Sequence, residues 1–152
     1  MILSDLLRPE AVLVPLEAPN REKAISALVD ALVLEGGEPA DRAALKAAIM
    51  AREAVGSTGV GGGVAIPHAC SIHIKAPLMA VGRTAAPIDF QAPDGLPVKL
   101  VFLIAVPTTA AHIHLPVLTA LGRVASDKGL LRQLINAPSP EKLYGLLSSV
   151  PV

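Results

Sequence analysis

Apolar side chains recur at helical spacing in two early stretches: Ala24, Ile25, Leu28, Val29, Leu32 and Val33, then Leu45, Ala48 and Ile49. Positions three and four apart share one helix face, so each stretch predicts an amphipathic helix laid on a core. Asn20 precedes the first as an N-cap, and Gly36-Gly37 closes it with residues that tolerate left-handed φ. The second helix is expected from Asp41 to about Ala54. Ahead of both, Ile2–Leu7 suits a short helix and Val12-Leu13-Val14 an extended segment. The pattern then changes. Val64-Ala65-Ile66 and Leu78–Arg83 have the character of strands, and Val98–Val106 is apolar nearly throughout, as in a strand buried on both faces. Ala85–Pro97 is turn-rich, with Pro87, Pro93, Asp94-Gly95 and Pro97. No clear helix bridges the last two strands, so an antiparallel pairing is expected somewhere in the sheet. Helical spacing returns from about His114 to Ser126, from about Gly129 to Asn136, and from Ser139, which caps a helix with Pro140 at its first position.

Helices, strands, then helices, with no repeat and no linker, predict one α/β domain over residues 1–152: a central mixed sheet with helices on its faces. Hydrophobic residues make up 52% and aromatics 2%, so Ala, Val, Leu and Ile must build the core. Thirteen basic and 13 acidic side chains cancel, and no basic block stands out, which argues against nucleic-acid binding through phosphate neutralisation. The single cysteine, Cys70, forms no internal disulfide and suits a reducing cytoplasm, and no signal peptide opens the chain. Leu100–Gly122 lacks Asp, Glu, Lys and Arg over a length that would span a bilayer. Pro107, Pro116, His112 and His114 interrupt it, so a buried strand, a loop and an amphipathic helix are expected instead of membrane insertion.

Candidate chemistry gathers at residues 56–70, Gly-Ser-Thr-Gly-Val-Gly-Gly-Gly-Val-Ala-Ile-Pro-His-Ala-Cys. Pro67 biases Ile66 toward extended backbone, and His68 is expected on a turn just past a strand end, where side chains do chemistry. The glycine run lacks the Lys-Ser/Thr of a nucleotide P-loop and the third glycine of a dinucleotide fingerprint. Its backbone N–H groups still offer an anion cradle beside His68. Val55-Gly56-Ser57-Thr58-Gly59 does not form a nucleophile elbow. His112-x-His114 raises the question of a zinc site completed by His68 or His73. His73, beside Lys75, is expected at the surface. Arg52 and Glu53 end a helix as a solvated pair, with the cation suiting the helix C-terminus. Cys70 is expected to be a small buried thiol and not a nucleophile paired with His68.

Taken together, Arg52-Glu53-Ala54-Val55-Gly56-Ser57-Thr58-Gly59 and Gly63-Val64-Ala65-Ile66-Pro67-His68 resemble the IIA domains of the phosphoenolpyruvate-dependent phosphotransferase system. The likeness is to the fructose/mannitol type, which includes the nitrogen-regulatory IIA proteins. It continues in Ile88-Asp89-Phe90, Val98–Ala105, Pro107, His114-Leu115 and Ser139–Leu143, and so spans essentially the whole chain. The resemblance implies a mixed sheet flanked by helices, and a phosphotransferase in which His68 accepts a phosphoryl group from an HPr-like histidine phosphocarrier protein. It also implies that His114, not His112, lies beside the phosphate, and that Arg52 takes the active-site arginine position.

Physical chemistry agrees with that implication. An ordinary imidazole is a neutral nucleophile near neutral pH. Phosphoryl transfer needs mainly positioning and charge stabilisation. Arg52 supplies a bidentate guanidinium, His114 a ring N–H, and the loop at Ser57 and Thr58 hydroxyl or backbone donors. No cofactor and no metal are called for. The chain departs from the family in having Gly62 where Asn is common, and Ala69 then Cys70 where Gly commonly follows the histidine. Loss of the Asn is expected to leave the active-site loop less well oriented.

No IIB or membrane IIC segment accompanies the chain, which favours a cytoplasmic nitrogen-regulatory IIA whose phosphorylation controls its binding to target proteins. Three alternatives stand: a sugar-specific IIA that passes phosphate to a IIB domain, a regulatory binding module with vestigial phosphorylation, and a His-x-His metal-binding protein.

Overall fold

The Asn20 side chain accepts the Lys23 N–H at 2.9 Å and opens helix α1, Arg21–Leu32, in a computed structural model that describes residues 1–32 and 39–152. The expected apolar stripe, Ala24, Ile25, Leu28, Val29 and Leu32, is buried. Val33 and the Gly36-Gly37 stop lie outside the described residues. Helix α2, Pro39–Val55, follows with Leu45 and Ile49 buried. Ahead of α1, a 3-10 turn at Leu3–Leu6 leads into strand β1, Leu7–Leu16.

Five more strands come next: β2 (Gly59–Gly61), β3 (Val64–Ala65), β4 (His68–Ser71), β5 (Leu78–Ile88) and β6 (Val98–Pro107). A 3-10 segment, Thr108–Ile113, joins β6 to α3 (His114–Ser126). Helix α4 (Lys128–Ile135) is capped by the Asp127 side chain, and α5 (Pro140–Leu147) by Ser139, as its Ser-Pro start predicts.

The strands form one mixed sheet in the order β1-β5-β6-β3-β2, with β4 also pairing β6. Strands β5 and β6 are antiparallel, which supplies the antiparallel pairing expected somewhere in the sheet, while β1 runs parallel to β5 and both β3 and β4 run parallel to β6. Every residue from Leu100 to Val106 is buried. Since successive strand residues face opposite sides, both faces of the sheet are covered. Helices α1 and α2 pack together, α1 on β1 and β5 and α2 on β4; α4 packs on β6 and α5 on β1. No helix among the described residues is long and apolar enough to cross a membrane. Leu100–Gly122 resolves into β6, the 3-10 segment and the first turns of α3.

Three local expectations are corrected. Part of the glycine run is strand, because β2 pairs antiparallel with β3. The expected turn after Arg83 is strand as far as Ile88; a register irregularity between Arg83 and Ile88 leaves room for Pro87, which has no N–H to give a ladder. And His68 is not on a turn. Val64 lies opposite Leu100 and His68 opposite Ile104, so β3 and β4 keep one register along β6. The missing N–H of Pro67 interrupts the ladder without ending the strand, and its carbonyl still accepts the Ile104 N–H at 3.0 Å.

Candidate functional site

Strand β4 presents His68 half-buried at its first position. Nδ1 of His68 lies 2.7 Å from the carbonyl oxygen of Ile66. A carbonyl only accepts, so this contact places the ring proton on Nδ1 and leaves a lone pair on Nε2 in the neutral form. The His114 ring stands edge-on to it, with centroids 4.9 Å apart and planes at 87°. His114 is the first residue of α3, delivered there by β6 and the 3-10 segment. Burial first, and the neighbouring His68 second, hold the His114 pKa below its ordinary 6.5. Nδ1 of His114 lies 3.2 Å from Sγ of Cys70, and its Nε2 is buried with no partner. A thiol is the more acidic group and sulfur the poorer acceptor. Cys70 is therefore the donor, and the His114 proton sits on the unpartnered Nε2.

Cys70 is exposed, which corrects the expectation of a buried thiol. Strand alternation explains it. His68 and Cys70, two residues apart, share one side of β4, while Ala69 and Ser71 are buried on the other. That pattern was readable only once His68 was known to lie on a strand.

Arg52 sits in the last turn of α2, and its guanidinium donates to the Gly56 carbonyl at 2.7 Å, closing its own helix. Glu53 is not solvated; it is 3% exposed. Its carboxylate accepts the Thr58 hydroxyl in a very short contact and the Thr58 N–H at 3.3 Å, and lies 3.5 Å from the Arg21 guanidinium. Ser57 donates its hydroxyl to the Phe90 carbonyl and accepts the Gly59 N–H at 3.0 Å. Both hydroxyl protons expected to serve a phosphate are thus directed at protein acceptors. Ser57 and Thr58 instead build the wall beside His68: the Thr58 carbonyl accepts the Ile66 N–H at 3.0 Å, and Ile66 in turn holds His68. Sequence spacing gave no sign that Glu53 anchors this wall.

The rest of the glycine run lies elsewhere. Gly61, Gly62 and Gly63, with φ of 91°, 66° and 84°, form the tip between β2 and β3, where Gly62 N–H meets Oδ2 of Asp94 at 3.1 Å. His68 is beyond the other end of β3, roughly 13 Å of strand away from Val64. The glycine tip is therefore no anion cradle beside His68, and Gly62 does not line the histidine site. Exposed His73 pairs with Asp41 at 3.0 Å, and His112 is exposed. Among the described residues no group of three or more His, Cys, Asp or Glu is placed to hold a metal ion, so the His-x-His reading lacks a donor set there.

Fold and site together define an α/β domain that carries on a strand a histidine with Nδ1 held by a backbone carbonyl, edge-on to a second histidine whose pKa is lowered by burial. The chain belongs to the type 2 EIIA family: the family model "Phosphoenolpyruvate-dependent sugar phosphotransferase system, EIIA 2" matches residues 5–150. It is 38% identical over 140 residues to the fructose-specific EIIA component of Haloferax volcanii, covering 91% of this chain and 90% of that protein. It is 32% identical over 148 residues to a nitrogen regulatory protein of Pseudomonas aeruginosa, covering 97% and 96%. The crystal structure of nitrogen regulatory protein IIA-Ntr from Neisseria meningitidis is similar with a TM-score of 0.87 at 32% identity, over 95% of this chain and 98% of that one. The expected family and the mixed α/β fold are both found, and the domain is a phosphotransferase-system EIIA domain.

Proposed function

We propose that this chain accepts a phosphoryl group on Nε2 of His68 from the phosphohistidine of an HPr-like carrier, and that its phosphorylation state serves nitrogen regulation. The observation that carries the reading is the 2.7 Å contact from His68 Nδ1 to the Ile66 carbonyl. As the Nε2–P bond forms, the donor's N–P bond breaks and the donor imidazole departs. His68 needs to lose no proton, because its one ring proton already sits on Nδ1. Positive charge then grows on the ring, and the Ile66 carbonyl stabilises it. His114 offers its buried, unpartnered Nε2–H to a phosphoryl oxygen. An uncharged His114 keeps the neighbouring lone pair from facing a cation before the phosphate arrives. Arg52 exchanges its single bond to Gly56 for two phosphoryl oxygens. The N-terminus of α3, where His114 sits, adds partial positive charge.

Incubation with phosphoenolpyruvate, enzyme I and the phosphocarrier, followed by intact-mass measurement, tests this. One added phosphoryl group, absent from His68→Ala, is the expected result. A wild-type chain that binds a partner but stays unmodified would leave only the vestigial binding module. The 38% identity to a fructose-specific EIIA component favours a second reading, in which the group passes to a IIB domain. Rapid loss of the label from the phosphorylated chain to a purified fructose IIB domain would decide for it.

A further inference from the structure

Residues directly opposite each other in an antiparallel pair exchange either two N–H···O bonds or none. Thr58 and Ile66 face each other one step beyond the Gly59–Ala65 pair, and they make half of the exchange. Ile66 N–H donates to the Thr58 carbonyl at 3.0 Å. The return bond, from Thr58 N–H to the Ile66 carbonyl, is absent. Thr58 N–H donates instead to Oε2 of Glu53 at 3.3 Å, and the Ile66 carbonyl takes Nδ1–H of His68 at 2.7 Å.

We propose that Glu53 is a positioning residue for His68: by holding the Thr58 N–H it keeps the Ile66 carbonyl out of the ladder and free for Nδ1 of His68. This rests on the reading of His68 as the acceptor. The residue type fits the task, because a carboxylate binds an N–H more strongly than a carbonyl does and so wins the competition for it. The last turn of α2 brings Glu53 into a buried site, and the Arg21 guanidinium 3.5 Å away offsets its charge. Take the carboxylate away and Thr58 N–H closes the ladder onto the Ile66 carbonyl. The Ile66 oxygen then divides its two lone pairs between that N–H and Nδ1–H, and the bond that holds the His68 tautomer weakens. An imidazole held less firmly at Nδ1 moves part of its population to the Nε2-protonated form, which blocks the atom that must attack phosphorus.

The test reads the ring nitrogens of His68 in unphosphorylated, ¹⁵N-labelled protein, alongside the rate of phosphoryl uptake. Wild type should show a protonated Nδ1 and a bare Nε2. In Glu53→Gln part of the population should move its proton to Nε2, and uptake should slow about fivefold, the worth of one hydrogen bond. Thr58→Val, which loses the hydroxyl contact with Glu53 but keeps the N–H, should retain the wild-type nitrogen pattern. A Glu53→Gln protein whose His68 nitrogens match wild type overturns the proposal. So does wild type itself with the proton on Nε2, a result that needs no variant to fold. Failure of the wild type to take up phosphate would instead sink the acceptor reading, and the nitrogen signals, recorded without phosphate, keep the two failures apart.

Discussion

Arg52 touches the carbonyl of Gly56 at an exposed helix end, a contact that contributes little to the fold. Removing it should leave structure intact while taking away the charge that, on the proposed reading, serves the transferring group. Arg52→Ala is expected to slow phosphoryl uptake about a hundredfold with the thermal midpoint nearly unchanged, and an undiminished rate would remove Arg52 from the site. His114 gives a pH dependence of defined sign. Its folded pKa lies below the ordinary 6.5, so between those values the unfolded chain binds more protons than the folded one. Stability that depends on a neutral His114 is therefore complete above pH 6.5 and is lost as pH falls below it. Urea unfolding of wild type and His114→Gln, compared from about pH 7.5 to about 5, should show wild type losing more stability on acidification. Parallel curves would refute it. At this scale the sequence singled out His68 and His114 through the Pro-His and His-Leu pairs, and the structure sets their rings edge-on, 4.9 Å apart. It misplaced Glu53 and Cys70, because whether a charged or thiol side chain is buried depends on what packs across from it. No spacing along the chain records that.

Elements with strong local periodicity were legible almost to the residue: α3 spans the expected His114–Ser126, and β6 exceeds its expected range by Pro107 alone. Three-residue β2, Gly-Val-Gly, has no alternation to detect and exists because β3 pairs with it. The β1–β5 contact depends on a similar nonlocal fit. A Cβ on Gly82 would stand 2.5 Å from Cδ2 and 2.9 Å from Cβ of Leu16, a side chain with 2% exposure. Gly82→Ala should therefore part the two strands locally and cost about 1–3 kcal/mol, measured by denaturant unfolding. A change of a few tenths would mean that β1 yields easily.

For the whole molecule, the order of elements and the apolar run of β6 were enough to predict a mixed sheet between helices, whereas strand order was not. That order decides what the glycine tip does. With Gly62 at the far end of β3 from His68, Gly62→Asn should leave phosphoryl uptake within about twofold of wild type. Asn tolerates the local φ of 66°, and the nearest atom to an added Cβ is 3.5 Å away, so the variant should also fold normally. A large change in rate would mean that the tip communicates with the site. The unbroken register of β3 and β4 along β6 has a further consequence for encounter with a partner. On the proposed reading of His68, the acceptor atom rides on a strand hydrogen-bonded to the central β6, so the sheet and not a loop sets its position. A target held in this way would leave the conformational search and the discrimination between donors to the incoming protein and to the moment of collision.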